Sequence, residues 1–137
     1  MPRISTSAAK AKGRRLQDFV AESFRKMHPS LEEDDVKTAI MGESGTDIKL
    51  SPAARRLIPF DTECKNQEKL NIWASITQCE TNCKADRIPL LVFKRNRTKT
   101  YACIEFEKLL ELIQKSKADV NTAAGDKSQA SNSGVLT

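Results

Sequence analysis

The residues with chemical potential in this chain cluster in one segment, Asp61-Thr62-Glu63-Cys64-Lys65, together with a residue upstream of it, Asp47. Side chains alternate faces along a strand, so Asp61, Glu63 and Lys65 project one way, while Phe60, Thr62 and Cys64 project the other way, into the core. Asp47 stands sixteen residues before Glu63, just after a loop bracketed by Gly42 and Gly45. Its surroundings, Thr46-Asp47-Ile48-Lys49-Leu50, alternate polar and apolar as a second strand. If the two strands pair, Asp47 meets Glu63, and two carboxylates then share a face with an ammonium. Phosphodiester hydrolysis asks for such a set. A hard divalent cation prefers oxygen ligands, and Mg²⁺ typically takes one or two carboxylates and keeps several waters. Asp47, Glu63 and the backbone carbonyl of Cys64 are the expected ligands, with Mn²⁺ able to substitute. Lys65 would orient or deprotonate the attacking water and offset charge developing on the phosphate. A Glu-x-Lys triplet alone is common and describes many solvated strands. The longer pattern is more specific: Gly-x-Asp-Ile, a connector, a strand reading x-Glu-x-Lys-Asn, then a helix. Asp61 reads as a third acidic group or, preferably, as a solvated strand entry.

Those positions need elements to hold them. Residues 13–27 repeat apolar side chains at helical spacing, with Leu16, Phe19, Val20, Ser23, Phe24 and Met27 on one face. Pro29 ends that helix by disfavouring helical geometry at His28. Residues 31–41 fit a short helical turn, a strand, or both. Residues 51–56 read as a connector into a strand over 57–65, with Pro59 near its start or on an edge. A helix over 71–82 is expected to turn Leu70, Trp73, Ile76 or Thr77, Cys79 and Cys83 inward. Pro89 opens a buried strand, Leu90-Leu91-Val92-Phe93, and a charged turn over 94–99 leads to a returning strand over 100–104. A last helix, 106–113, carries Phe106, Leu109, Leu110 and Ile113 on one face. The alternation predicts an α/β fold, a mixed sheet flanked by helices.

Composition bounds the rest. The chain has 137 residues, 39% hydrophobic and 30% charged, which suits one domain with tails. Residues 1–11 read as a flexible basic arm, 12–115 as the domain, and 116–137, rich in Ser, Ala, Asn and Gly, as a disordered tail. No stretch approaches the roughly 20 apolar residues that span a bilayer, and the N-terminus has no signal-like apolar core. A cytoplasmic protein with reduced cysteines is expected. Cys79 and Cys83 lie on a helix without a nearby histidine, so they read as buried thiols in preference to a zinc site. Nucleophilic hydrolase chemistry is disfavoured, because the lone His28 has no serine or cysteine elbow to serve. The formal net charge is +5, and the pI of about 9.1 favours a polyanionic partner. Lys94, Arg95, Arg97 and Lys99 share one turn; Lys10, Lys12, Arg14 and Arg15 open the first helix; Arg55 and Arg56 form a third basic spot. Beside an acidic site these read as a DNA track held through phosphates. Aromatics are 5% of the chain, and with Trp73 taken as core, stacking on single strands is disfavoured.

Gly45-Thr46-Asp47-Ile48, Glu63-Cys64-Lys65-Asn66, the helix carrying Gln78 and the opening Lys12-Gly13-Arg14-Arg15-Leu16-Gln17 resemble the PD-(D/E)XK nucleases. The likeness is to archaeal-type Holliday junction resolvases and small phage endonucleases. It covers roughly residues 12–113 and implies a restriction-endonuclease-like αβββαβ core, a divalent metal, a DNA substrate, possibly branched, and a homodimer. Resolvases carry a glutamate four residues after the helix-opening glycine, where this chain has Gln17. A neutral amide there would hydrogen-bond a water instead of ligating metal. Glu22 competes for the role, but it falls more than about a third of a turn further round, whereas Gln17 lies beside Phe24 at the rim of the apolar face. The resemblance also points to Ser44, in the loop before Asp47, as a catalytic-loop serine. Gln67 is expected to meet phosphate or a second subunit, and Gln78 either reaches the site or is a plain surface residue. A nicking, repair or restriction-like nuclease on the same scaffold, or a decayed DNA-binding module, are the alternatives.

Overall fold

The structure is a computed structural model and describes residues 5–126. Helix α1, Thr6–Met27, opens at Ser5, whose hydroxyl accepts the Ala8 amide at 3.1 Å, and its last turn carries Arg25 and Lys26, favourable against the helix dipole. It therefore begins within the segment expected to be a flexible arm. A capping serine followed by Ala- and Lys-rich sequence is enough to nucleate it early. A 3₁₀ turn, Glu33–Asp35, leads into β1, Val36–Thr38, which pairs antiparallel with β2, Ile48–Leu50.

The expected connector after β2 is instead helix α2, Pro52–Leu57. Ser51 caps it by accepting the Ala54 amide at 3.1 Å, and Pro52 occupies the first turn, where its missing N–H costs nothing. Then come β3, Phe60–Asn66; α3, Ile72–Asn82, capped by the Asn71 side chain; β4, Ile88–Lys94; and β5, Tyr101–Cys103. Strand β3 runs parallel to β4, and β4 antiparallel to β5. The β1–β2 ribbon joins the free edge of β3 through the Asp47 amide, which donates to the Thr62 carbonyl at 3.0 Å. Apart from the inserted α2, the order is the α-β-β-β-α-β core with a mixed sheet that the sequence predicts.

Helix α1 buries Leu16, Val20 and Ala21 in a cluster with Val36, Ile48, Cys64, Leu90 and Val92. Even-numbered residues of β3 and β4 thus face α1. Odd-numbered ones face α3, where Leu91 and Cys79 are buried. Covered on both sides, β3 holds Thr62, Glu63 and Cys64 at 1%, 2% and 7% exposure, which puts an acidic side chain inside the protein. Two expectations fail here. Phe19 and Met27 are exposed, because the buried stripe of α1 is narrower than its apolar face. Trp73 is 75% exposed; α3 turns Ser75 and Cys79 inward instead.

Helix α4, Phe106–Asp126, belongs to a second unit divided from the first after Ile104. It continues well past Ile113 into the segment expected as a disordered tail, through residues 114–126, where Lys, Ala and Gln favour helix. The remainder of that tail, and residues 1–4, lie outside the described residues. Among the described residues no helix is long and apolar enough to cross a membrane.

Candidate active site

Asp47 is fixed by the sheet itself. Its amide donates to Thr62, its carbonyl accepts the Ala39 amide at 2.8 Å, and its Oδ2 accepts the Cys64 amide at 2.7 Å. The carboxylate thereby takes a ladder position that a backbone carbonyl would otherwise fill. Gly42 and Gly45, at φ +83° and +91°, occupy the left-handed region that glycine enters without a Cβ clash, and they turn the chain so that Asp47 arrives on this edge. In a strand the N–H and C=O of one residue face the same edge, so the Cys64 carbonyl lies on the edge Asp47 grips. The Cys64 thiol points into the core, where burial pushes its pKa far above the usual thiol range.

Glu63 is the neighbour Asp47 meets. The Asp47 carboxylate is near enough to act on the Glu63 carboxyl, and Asn82 Nδ2 donates to Glu63 Oε1 at 2.8 Å. Burial raises the Glu63 pKa to about 7; the Asn82 hydrogen bond and the Lys65 ammonium pull it down, and Asp47 pushes it up. Asp47 thus lies beside Glu63, and Lys65 follows two residues later on the same face of β3. Asn82 was not singled out from the sequence. It lies one helical turn beyond Gln78, which is exposed, so the expected helix-to-site contact exists but comes from the last turn of α3.

Asp61, two residues earlier on the same face, is neither a solvated strand entry nor a member of this pair. Its Oδ1 accepts Arg87 Nε at 3.0 Å and its Oδ2 accepts the Lys84 amide at 3.0 Å. The nearly buried Arg87 guanidinium also donates to the carbonyls of Arg55, Ile58 and Phe60. A structural ion pair holds this acid.

Ser44 is exposed in the glycine-bracketed loop; its carbonyl accepts Lys49 Nζ at 2.7 Å, and it lines a hollow of about 290 Å³ with Asp61 and Asn82. Gln17 is half-buried on α1 beside Leu16, while Glu22 is exposed and pairs with Lys26 at 3.2 Å. Arg14, Arg15, Gln67, Arg95, Arg97 and Lys99 are exposed, and Lys94 is half-buried. Lys12 is a correction to the expected DNA track. It is buried, with its ammonium 3.7 Å from Glu68, which engages the charge within the protein. Glu68 also accepts the Asn96 amide at 2.5 Å, tying α1 to the β4–β5 turn.

The donors present fit a hard dication. Among the described residues no group of three or more acidic, cysteine or histidine side chains gathers, so a cation at this site would rest on the Asp47 and Glu63 carboxylates and the Cys64 carbonyl. Two carboxyls that must otherwise share a proton form a site whose electrostatics improve when a divalent ion replaces that proton.

An acidic pair and a strand-borne lysine on a mixed sheet backed by α1 define a PD-(D/E)XK nuclease core. A family model described as "Phage putative PDDEXK endonuclease" matches residues 10–134, and the chain belongs to that family. No curated protein and no solved structure matches the chain. Nucleases of this type typically act with divalent metal ions.

Proposed function

We infer that this protein is a Mg²⁺-dependent endonuclease that hydrolyses phosphodiester bonds in DNA, with Asp47, Glu63 and Lys65 at its centre. The observation carrying this is the placing of the Asp47 carboxylate beside Glu63 where the β1–β2 ribbon meets β3. Asp47, Glu63 and the Cys64 carbonyl hold the cation, with Mn²⁺ accepted in place of Mg²⁺. When bound, such an ion polarises the scissile phosphate and acidifies the attacking water. Lys65 shares the sheet face of Glu63 and offsets charge that builds on the phosphate. Asn82 holds Glu63 in one orientation and stabilises its ionised form. Gln17 and Ser44 are assigned supporting hydrogen bonds at the rim. Arg14, Arg15, Gln67, Lys94, Arg95, Arg97 and Lys99 contact the DNA backbone, giving affinity that falls with salt.

The resemblance to resolvases supports branched DNA as the substrate and a homodimer as the working form, and the phage family supports a role in the host cytoplasm. The test is cleavage of a synthetic four-way junction beside a flap and a linear duplex, with Mg²⁺ and with Mn²⁺. Cutting that favours branched DNA over the linear duplex and disappears in Glu63→Gln is the expected result. Equal cutting of all three removes the resolvase assignment. Binding without cutting under either metal would make the chain a DNA-binding module.

A further inference from the structure

The row of residues across the sheet at Lys65 leads to a second feature. Lys65 is in register with Phe93 on β4, and Phe93 with Tyr101 on β5. Residues paired in register project from the same face, so both aromatic rings stand on the face that carries Glu63 and Lys65. Strands are spaced about 4.8 Å apart, so the rings lie roughly 5–10 Å across the sheet from the Lys65 backbone. Their centroids are 6.3 Å apart with planes tilted by 33°, and Tyr101 is 56% exposed.

These rings, with Leu70 and Ile72 at the start of α3, line a groove of about 740 Å³ whose rim carries Lys94, Arg95 and Lys99. Glu68 also lines it, but its charge is engaged by Lys12 and the Asn96 amide. The groove thus joins a flat apolar wall to a cationic rim. A paired duplex presents phosphates to such a rim and keeps its base faces stacked away from the wall. An unpaired nucleotide presents both a phosphate and a free base face.

The geometry points to this groove as a subsite for an unpaired nucleotide flanking the scissile phosphate, its base against Tyr101 and Phe93 and its phosphate at Lys94, Arg95 and Lys99. The substrate class is then DNA carrying unpaired nucleotides beside the cut, in preference to intact duplex. This rests on the nuclease reading only in placing the subsite beside a bond to be cut. This proposal departs from the expectation, drawn from low aromatic content, that stacking on single strands is disfavoured.

The experiment measures binding of the full chain to 2-aminopurine oligodeoxynucleotides in EDTA, so that no cleavage intervenes. The probes are a single strand, a duplex with a short single-stranded gap, and a fully paired duplex. Fluorescence quenching and tighter binding on the first two are expected. Tyr101→Thr, which keeps a strand-favouring residue while removing the ring, should weaken binding to both by about fivefold or more and leave the duplex unchanged; Tyr101→Trp should restore it. Equal quenching on all three probes, or a Tyr101→Thr protein that binds single strands as tightly as the unmodified one, overturns the subsite. Selective binding with no cleavage once Mg²⁺ or Mn²⁺ is added overturns the nuclease reading and leaves the subsite standing. Cleavage without selectivity does the reverse.

Discussion

Asp61 and Glu63 sit two residues apart on the same face of the same strand, yet the protein treats them in opposite ways. Asp61 receives a guanidinium, a backbone amide and a position beside solvent. Glu63 receives a second carboxyl, one amide donor and near-complete burial. The first arrangement satisfies its charge with what the chain supplies. The second is offset only in part by Asn82 and the Lys65 ammonium, so a proton is held more tightly there than on an ordinary carboxylate. Two positions on one face of β3 thus separate an acid paired with a guanidinium from an acid set beside another carboxylate.

The sharpest way to break this contrast is to neutralise each acid in turn. Glu63→Gln and Asp47→Asn should each lower Mg²⁺-dependent cleavage by about 10³-fold or more, while the metal-free protein melts no earlier than the unmodified one, since carboxyl repulsion has been removed. A large loss of stability in Glu63→Gln would count against a frustrated pair. Asp61→Ala should do the opposite. It leaves the buried Arg87 unpaired, which costs about 3–5 kcal/mol in a urea titration, and the fraction that remains folded should cut at close to the normal rate. Replacing both partners with apolar residues should recover much of that loss.

Proton linkage provides the next comparison. In the unfolded chain Glu63 titrates near its ordinary value of 4.5, and in the metal-free fold near 7. Between those values the native state holds a proton that the unfolded state has released, so this group's contribution to stability is full below about 4.5, falls as pH rises to about 7, and is level above. Metal binding has the opposite slope, because the ion displaces that proton. Calorimetric Mg²⁺ affinity should climb with pH up to about 7 and then flatten, and the climb should vanish in Glu63→Gln. The smallest effect is expected from Asn82→Ala. Losing a hydrogen bond that favours the ionised form should move the affinity midpoint to higher pH and weaken metal binding a few-fold at neutral pH. An unmoved midpoint would make Asn82 a packing residue.

The sequence displays the Asp47–Glu63–Lys65 pattern because strand alternation and a glycine-bracketed loop are local signals, readable without knowing what packs where. The Ser51-Pro52 cap of α2 is equally local, but six residues leave too little periodicity to distinguish a helix from a connector. Asp61, Lys12, Trp73 and Asn82 were illegible for a common reason. Which acid finds a guanidinium, which lysine is buried, and which face of α3 meets the sheet all depend on partners distant in the chain, as with Asn82 and Glu63, 19 apart, or Lys12 and Asn66, 54 apart.

The clasp between Asp47 and the Cys64 amide has a further consequence for how such a chain is made. One half of the acidic pair is also a rung of the sheet, so the two carboxylates meet only where the ribbon is zipped onto β3, and a chain with that ribbon out of register carries no such pair.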